Sequence, residues 1–480
     1  MHEEMGPVNR APAVCQTCAL RKKACDKSLP SCGFCKRKNI FCHYESESRG
    51  PRRAYHPGRN FVAVPTSPSP GDSSNELNTI EALVDPTSQS MVYASPQSFD
   101  KYVYRHARHT IRTANLTPER IGQDHFRTFD RLLPIVSPEL FRHVVLKFED
   151  TATVPPADSS ILLLSMLLAR GLSDSTPAPP SHSLDRKSIY MAVKALVSQA
   201  QAAICTSLQL VQAAFLIAAC EYLSGRPETA YASFMSCMGM SRILGVGDAS
   251  MGTTRAIADG FDYQSLKVEM VNVDWAMATL ERLILCETEG HYLRPLTELP
   301  GVTSRDTLDL QQLQEMQAIS LLDEALCTTS SAIVEHLKIA PRIGELDHRI
   351  HTFLGAVLNG VWNVHDAPST LVALAVRLLF LLHRAVTIEF QPSLAEGTSI
   401  HEGAMKSWNT LDSTCIMVID IARHRRIDQA EVMPICCYYN LRVAKEHLQN
   451  RERPGGPKRD KEIGYLLDSE KQYCKKWCFS

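Results

Sequence analysis

Uninterrupted apolar runs are scarce in this sequence of 480 residues. None reaches the ~18 residues expected of a membrane-crossing helix. The longest candidate stretch, TLVALAVRLLFLL at 370–382, is interrupted by Arg377 in its middle. That pattern fits a buried helix better than a membrane span, so no membrane partner is expected. The opening stretch MHEEMGPVNRAPAV is acidic and lacks an apolar segment, which argues against a secretory signal there. Strict polar–apolar alternation is equally rare, and this argues against a sheet protein. Catalytic constellations are missing too, with no convincing triad or paired-carboxylate motif. GVGDASMG at 245–252 follows a helical pattern and lacks the G-x-G-x-x-G spacing of a nucleotide loop. An enzyme is therefore not expected. The compartment implied is intracellular and reducing, where clustered cysteines favour metal over disulfides.

Charge of one sign is also lacking overall, since the net charge is −1. The balance is uneven along the chain, however. Residues 1–60 carry 12 Lys and Arg against 5 Asp and Glu, whereas the remainder carries 39 against 47. A basic head on an acidic body suggests that the head meets a polyanion. Hydrophobic content of 44% and charged content of 21% describe an ordinary globular body. The length gives a prior of two to four domains, with room for a large core.

What the head does contain is CQTCALRKKACDKSLPSCGFCKRKNIFC at 15–42. Cys15-x2-Cys18-x6-Cys25 is followed, six residues later, by the same spacing in Cys32-x2-Cys35-x6-Cys42. Disulfides are disfavoured by the compartment. One zinc with four thiolates would leave two cysteines without a purpose and the repeat unexplained. Two zincs fit best: each takes four ligands, and six cysteines supply eight ligand positions if two of them bridge. The repeat makes Cys15 and Cys32, the first of each half, the natural bridging pair. Leu20, Leu29, Phe34, Ile40 and Phe41 are most of the apolar content, so the metal must supply the folding free energy. A closed site of this kind leaves no coordination position for catalysis.

With its basic run ALRKKACD and Pro30 two residues before the fourth cysteine, this segment resembles the fungal zinc binuclear cluster transcription factors. The resemblance implies two short helices, each following a Cys-x2-Cys, related by a pseudo-two-fold axis. It implies that the first helix enters the major groove of double-stranded DNA, with Arg21 and Lys22 at the base edges of a CGG triplet. Lysine on guanine O6 and N7 is sound chemistry there, while Lys23, Lys36 and Arg37 suit phosphate, which positions without specifying. Two positions depart from the family pattern: Ala19 and Ala24 stand where Lys or Arg is usual, so two phosphate contacts are missing.

Residues 43–60 are polar and basic, with Arg49, Arg52, Arg53 and Arg59. VPTSPSPGDSS at 64–74 reads as linker. Leu77, Ile80 and Val84 make barely one heptad before Pro86, too short for a stable coiled coil. The sequence is thus compatible with a monomer or with a homodimer paired through the helical body.

From about 99 onward the pattern is helical. Thr117-Pro118 and Ser137-Pro138 read as helix starts, the second followed by an apolar face of Leu140, Val144, Val145 and Phe148. Two helices, from Ser207 to SGRP and from Glu228 to Gly245, read as a hairpin with small residues at its seam. The stretches 125–141, 207–246 and 273–287 resemble the helical regulatory region of the same factors, with Glu281-Arg282 where Asp-Arg is common. Among the ten other cysteines only Cys436-Cys437 and Cys474-x3-Cys478 lie close together, and both pairs read as structural thiols. His106 and His109 share a helix face without a third ligand.

The expectation is a small two-zinc cysteine domain at 11–46, a basic, Ser/Pro-rich linker at 47–98 and a large all-α regulatory domain at 99–480. Its function would be that of a nuclear, sequence-specific regulator of RNA polymerase II genes, working with the transcription machinery, on a metabolic or secondary-metabolite gene cluster. The alternative is a zinc-held protein-interaction module, or transcriptional cofactor, with weak or no specific DNA binding.

Overall fold

The computed structural model describes residues 14–15, 18, 23–29, 31–38, 96–129, 133–146, 153–170, 185–246, 263–288, 294–299, 310–332, 336–359, 368–388, 399–424, 436–449 and 457–477. Arg21, Lys22, Pro30, Phe41, Cys42, the 64–74 linker, the short heptad at Leu77–Val84, Phe148 and Cys478 lie outside these residues. The chain divides into two compact units, Met1–Ser73 and Ser74–Ser480. In the first, one helix is described, α1 (Gly33–Lys38), and it begins between Cys32 and Cys35 rather than after the pair. No β-strand occurs among the described residues of the second unit.

The second unit contains α2 (Pro96–Thr113), α3 (Pro118–Thr128), α4 (Pro138–Val144), α5 (Ala157–Ala169), α6 (Arg186–Ala203), α7 (Leu208–Leu223), α8 (Pro227–Leu244), α9 (Tyr263–Leu285), α10 (Leu310–Ala332), α11 (His336–Asn359), α12 (Pro368–Ile388), α13 (Ser399–His424), α14 (Cys437–Gln449) and α15 (Pro457–Trp477). Local chemistry sets several of the starts. The Thr117 and Ser137 hydroxyls accept the N–H groups of Arg120 (3.3 Å) and Leu140 (3.0 Å), each with proline next in the helix. Ser207 accepts from Leu210 at 3.2 Å, and Asp185 accepts from Lys187 and Ser188. Each such cap contributes about 1 kcal/mol. α8 ends on Gly245 in the left-handed region, at φ 72°. The hairpin of α7 and α8 forms as the sequence predicts.

Two helices are apolar on every face and together form the first hub, since only burial suits such a surface. All of α5 except Asp158, and all of α7 except Gln209, is buried. α7 packs between α5 and α8, and α5 also carries α2, α3 and α6. The second hub is α12, against which α10, α11, α13 and α14 pack. Its Thr370–Thr387 stretch is long and apolar enough to cross a membrane by composition alone. Here Leu371, Leu374, Leu378, Phe380 and Leu382 are core residues instead. α9 joins the two groups by touching α7, α8 and α10. One continuous core results, from Phe99 to Trp477.

Buried charge stitches this core. Arg377 on α12 is fully buried, and its guanidinium donates to Glu287 (2.9 Å), the Tyr222 hydroxyl (2.6 Å) and the carbonyls of Cys436 (3.0 Å) and Leu283 (3.3 Å). It also lies over the Tyr439 ring, 4.8 Å from the centroid. Glu281 and Arg282 on α9 form a second clamp. Glu281 accepts the N–H groups of Leu296 and Thr297, while Arg282 binds the Thr297 carbonyl and pairs with Asp323 of α10 at 2.6 Å. The acidic–basic dipeptide that stands out in the sequence therefore holds residues 294–299 and α10 against α9.

Two tests follow from this core. Arg377→Met strands the Glu287 carboxylate without its cation, and the expected cost is about 3–5 kcal/mol. An unchanged urea midpoint for the full chain would contradict that assignment. His125 on α3 is fully buried, stacks on Phe129 at 5.4 Å, and has no hydrogen-bond partner for either ring nitrogen. Burial pushes its pKa down to about 3. The unfolded imidazole titrates near 6.5, so stability is full above that pH and is lost as pH falls towards 3. His125→Phe should flatten the fall of the melting temperature between about pH 6.5 and 4.

Candidate metal centre and nucleic-acid interface

The centre is built by two loops that repeat one another. In each half, the N–H of the second cysteine points at the sulfur of the first: Cys18 to Cys15 and Cys35 to Cys32, both at 3.4 Å. Beyond these the halves differ: Lys23 N–H closes a turn on the Cys18 carbonyl (3.0 Å), after the first pair, whereas Lys36 N–H closes one on the Cys32 carbonyl (2.9 Å), around Cys35. Cys15, Cys18, Cys32 and Cys35 are fully buried, with their sulfurs all within 4.8 Å of one another.

The separations distinguish the chemistries. Sγ–Sγ distances are 3.7 Å for Cys15–Cys32, 3.8 Å for Cys15–Cys35, 3.6 Å for Cys18–Cys32 and 3.9 Å for Cys25–Cys15. A disulfide needs about 2.05 Å, and all five are free thiols. Zinc–sulfur bonds of about 2.3 Å in a tetrahedron place sulfurs about 3.8 Å apart. The observed spacings are those of tetrahedron edges, so the residues fit a zinc–thiolate cluster. Cys15 reaches across to Cys35 of the second half, and Cys32 reaches across to Cys18 of the first.

Closely packed thiols also disturb one another. Cys18 is pushed up to about 12, mainly by burial and then by its Cys15 and Cys32 neighbours. For Cys32, burial works upward, but the Cys35 N–H and the surrounding thiols outweigh it, and the net shift is downward. A bound dication favours the thiolate at every position.

Asp26 ties the halves together. Its carboxylate accepts the Gly33 N–H at 2.9 and 3.0 Å and the Ser28 N–H at 3.3 Å. The Gly33 bond is the main reason that its pKa is lowered. A Cβ at position 33 would sit 2.6 Å from the Asp26 carboxylate, so any side chain there forces that carboxylate to shift. The sequence reading passed over Asp26; a carboxylate directly after the third cysteine was its only signal. Lys27 next to it adopts φ 61°, an uncommon conformation for a residue with a side chain.

Lys23, Lys36 and Arg37 are exposed, as is Lys38. The last three close α1, where positive charge also suits the helix dipole. The described face of the unit is therefore basic around a buried sulfur core.

Residues 13–51 match the model of the fungal Zn(2)-Cys(6) binuclear cluster domain. Such a domain binds two zinc ions through six cysteines. It implies a DNA-binding transcription regulator rather than an enzyme. No curated protein matches the chain. The match ends at 51, so it does not reach the helical unit.

One arrangement in that unit imitates a catalytic triad. His383 meets Asp347 at 3.0 Å through Nε2 and the Ser407 hydroxyl at 3.1 Å through Nδ1. Ser407 is buried, however, within α13. Neither of the two cavities described among these residues is lined by any of the three. The trio is a polar clasp between α11, α12 and α13.

Asp26→Ala should weaken zinc retention by about tenfold, as residues supporting metal ligands commonly do. Competition between the full chain and a colorimetric chelator measures this, and Gly33→Ala should act in the same direction. Unchanged retention in both variants would mean that Asp26 only decorates the loop.

Proposed function

We propose that the chain is a zinc-dependent, sequence-specific transcription regulator of RNA polymerase II genes, reading CGG-type half-sites in double-stranded DNA. The observation that carries this reading is the tetrahedral-edge spacing of five sulfurs beneath an exposed basic face. In it, Cys15, Cys18, Cys25 and Cys32 hold one zinc, and Cys15, Cys32, Cys35 and Cys42 hold the other, with Cys15 and Cys32 bridging. The crossing contacts from Cys15 to Cys35 and from Cys32 to Cys18 support that division. Arg21 and Lys22 face base edges, whereas Lys23, Lys36 and Arg37 neutralise phosphates.

The domain spans 11–46, a linker covers 47–98, and the helical region from 99 regulates activity and meets the transcription machinery. The protein works in the nucleus, on a metabolic or secondary-metabolite gene cluster, and pairs as a homodimer through its helical body where two half-sites are used.

Selection of the full-length protein on random duplex pools, with and without chelator, tests the reading. Enrichment of CGG triplets that disappears with chelator is the expected result. Lys22→Ala should lose about 1–3 kcal/mol of base discrimination. Lys36→Ala should instead weaken all sequences alike and reduce the salt slope by about one. A folded, zinc-loaded protein that selects no sequence at moderate salt would support the protein-interaction alternative.

A further inference from the structure

A cavity of about 420 Å³ lies between α2, α3, α4 and α5. That volume is within the range of small-molecule sites, about 300–1,000 Å³. One stripe of α2 forms a wall, with Tyr104, Ala107, Arg108, Ile111 and Arg112 at helical spacing. The start of α5 forms the opposite wall with Ser159, Ser160 and Leu163. Val144 and Val145 close it from α4, and Thr117 to Glu119 from α3.

Three features of this cavity lack an internal explanation. Arg108 and Arg112 are four residues apart on one helix face, an arrangement that like charge destabilises. Arg112 in the last turn gains from the helix dipole, but Arg108 does not. Among the described residues neither makes an ion pair, although the one carboxylate on the lining, Glu119, is close in sequence. Ser160 is 4% exposed, and its hydroxyl has no hydrogen-bond partner. The start of α5 itself is already satisfied: the Ala157 and Ser159 N–H groups donate to Asp100 (2.8 Å) and Asp158 (2.7 Å). The two guanidiniums and the Ser160 hydroxyl are thus donors open to a ligand, and apart from Tyr104, Thr117, Glu119 and Ser159 the rest of the lining is apolar.

We propose that this cavity is a binding site for a small amphipathic carboxylate, held at its charged end by Arg108, Arg112 and Ser160 and along its apolar body by Ile111, Val144 and Leu163. A guanidinium pair suits a planar carboxylate, which it can grip with parallel hydrogen bonds. The aliphatic floor sets a length limit on the tail. The site belongs to the helical unit, so it stands whether or not the DNA reading holds.

Titration calorimetry of the zinc-loaded full chain with straight-chain carboxylates from butanoate to dodecanoate tests this. Saturable one-to-one binding with a preferred length near octanoate is expected, and 1-octanol should bind at least tenfold more weakly. Arg108→Gln with Arg112→Gln should weaken octanoate at least tenfold. Both arginines are exposed, so an unchanged melting temperature is expected for that pair. Ser160→Ala should weaken it several-fold, and Leu163→Trp should block it by filling the cavity. If Leu163→Trp fails to fold, the arginine pair decides the matter. Octanol binding as tightly as octanoate, indifference to the arginine substitutions, or no saturable binding at any chain length would overturn the proposal.

Discussion

The helical unit is organised around one buried cation. Arg377 sits near the centre of α12 and reaches α7 through Tyr222, the end of α9 through Glu287, and the start of α14 through a carbonyl. Burying a guanidinium is costly unless it is paired and hydrogen-bonded. That requirement restricts how α12 can rotate or slide, because only one register brings the acid, the phenol and the carbonyls to it together. Leucine and valine contacts would tolerate several registers; the ion pair does not. The clamp of Glu281 and Arg282, in the last turns of the same helix, applies the same logic, so α9 is fixed to both helical groups by polar contacts and to its neighbours by apolar ones.

The N-terminal unit obeys a different rule. It has almost no side-chain core: the buried residues described there are cysteines, with Phe34 packed beside them. Its geometry comes from backbone N–H groups aimed at sulfur and from Asp26 holding Gly33. These contacts orient ligands but do not bury enough apolar area to fold under 40 residues. Folding and metal binding are then one equilibrium. The two units thus draw their stability from different sources, one from apolar burial around fixed charges and one from coordination.

The cysteine spacing, the helix caps at Thr117 and Ser137, the α7–α8 hairpin and the burial of 370–382 were all legible because each rests on local chemistry or simple periodicity. Three things were not. Asp26 looks like an ordinary loop acid until its carboxylate is seen on the Gly33 N–H. The partners of Arg377 lie on helices far apart in sequence, so the sequence marks the buried arginine but not what neutralises it. The α2–α5 cavity has no motif either, since Arg108 and Arg112 read as a solvated face until Ser160 and Leu163 are found opposite.

Gly225, in the turn between α7 and α8, has φ 71°, and a Cβ there would lie 2.8 Å from the ring of Tyr438 on α14. Tyr438 in turn stacks on Tyr473 of α15, at 5.2 Å. Sites far apart in the sequence are thereby bound in their history. A side chain at position 225 is strained by the left-handed φ in any case, and it further needs the ring at 438 to shrink or move, a step that disturbs 473. In any lineage carrying this fold the three positions should drift together, leaving a trace of covariation between segments that share no sequence neighbourhood.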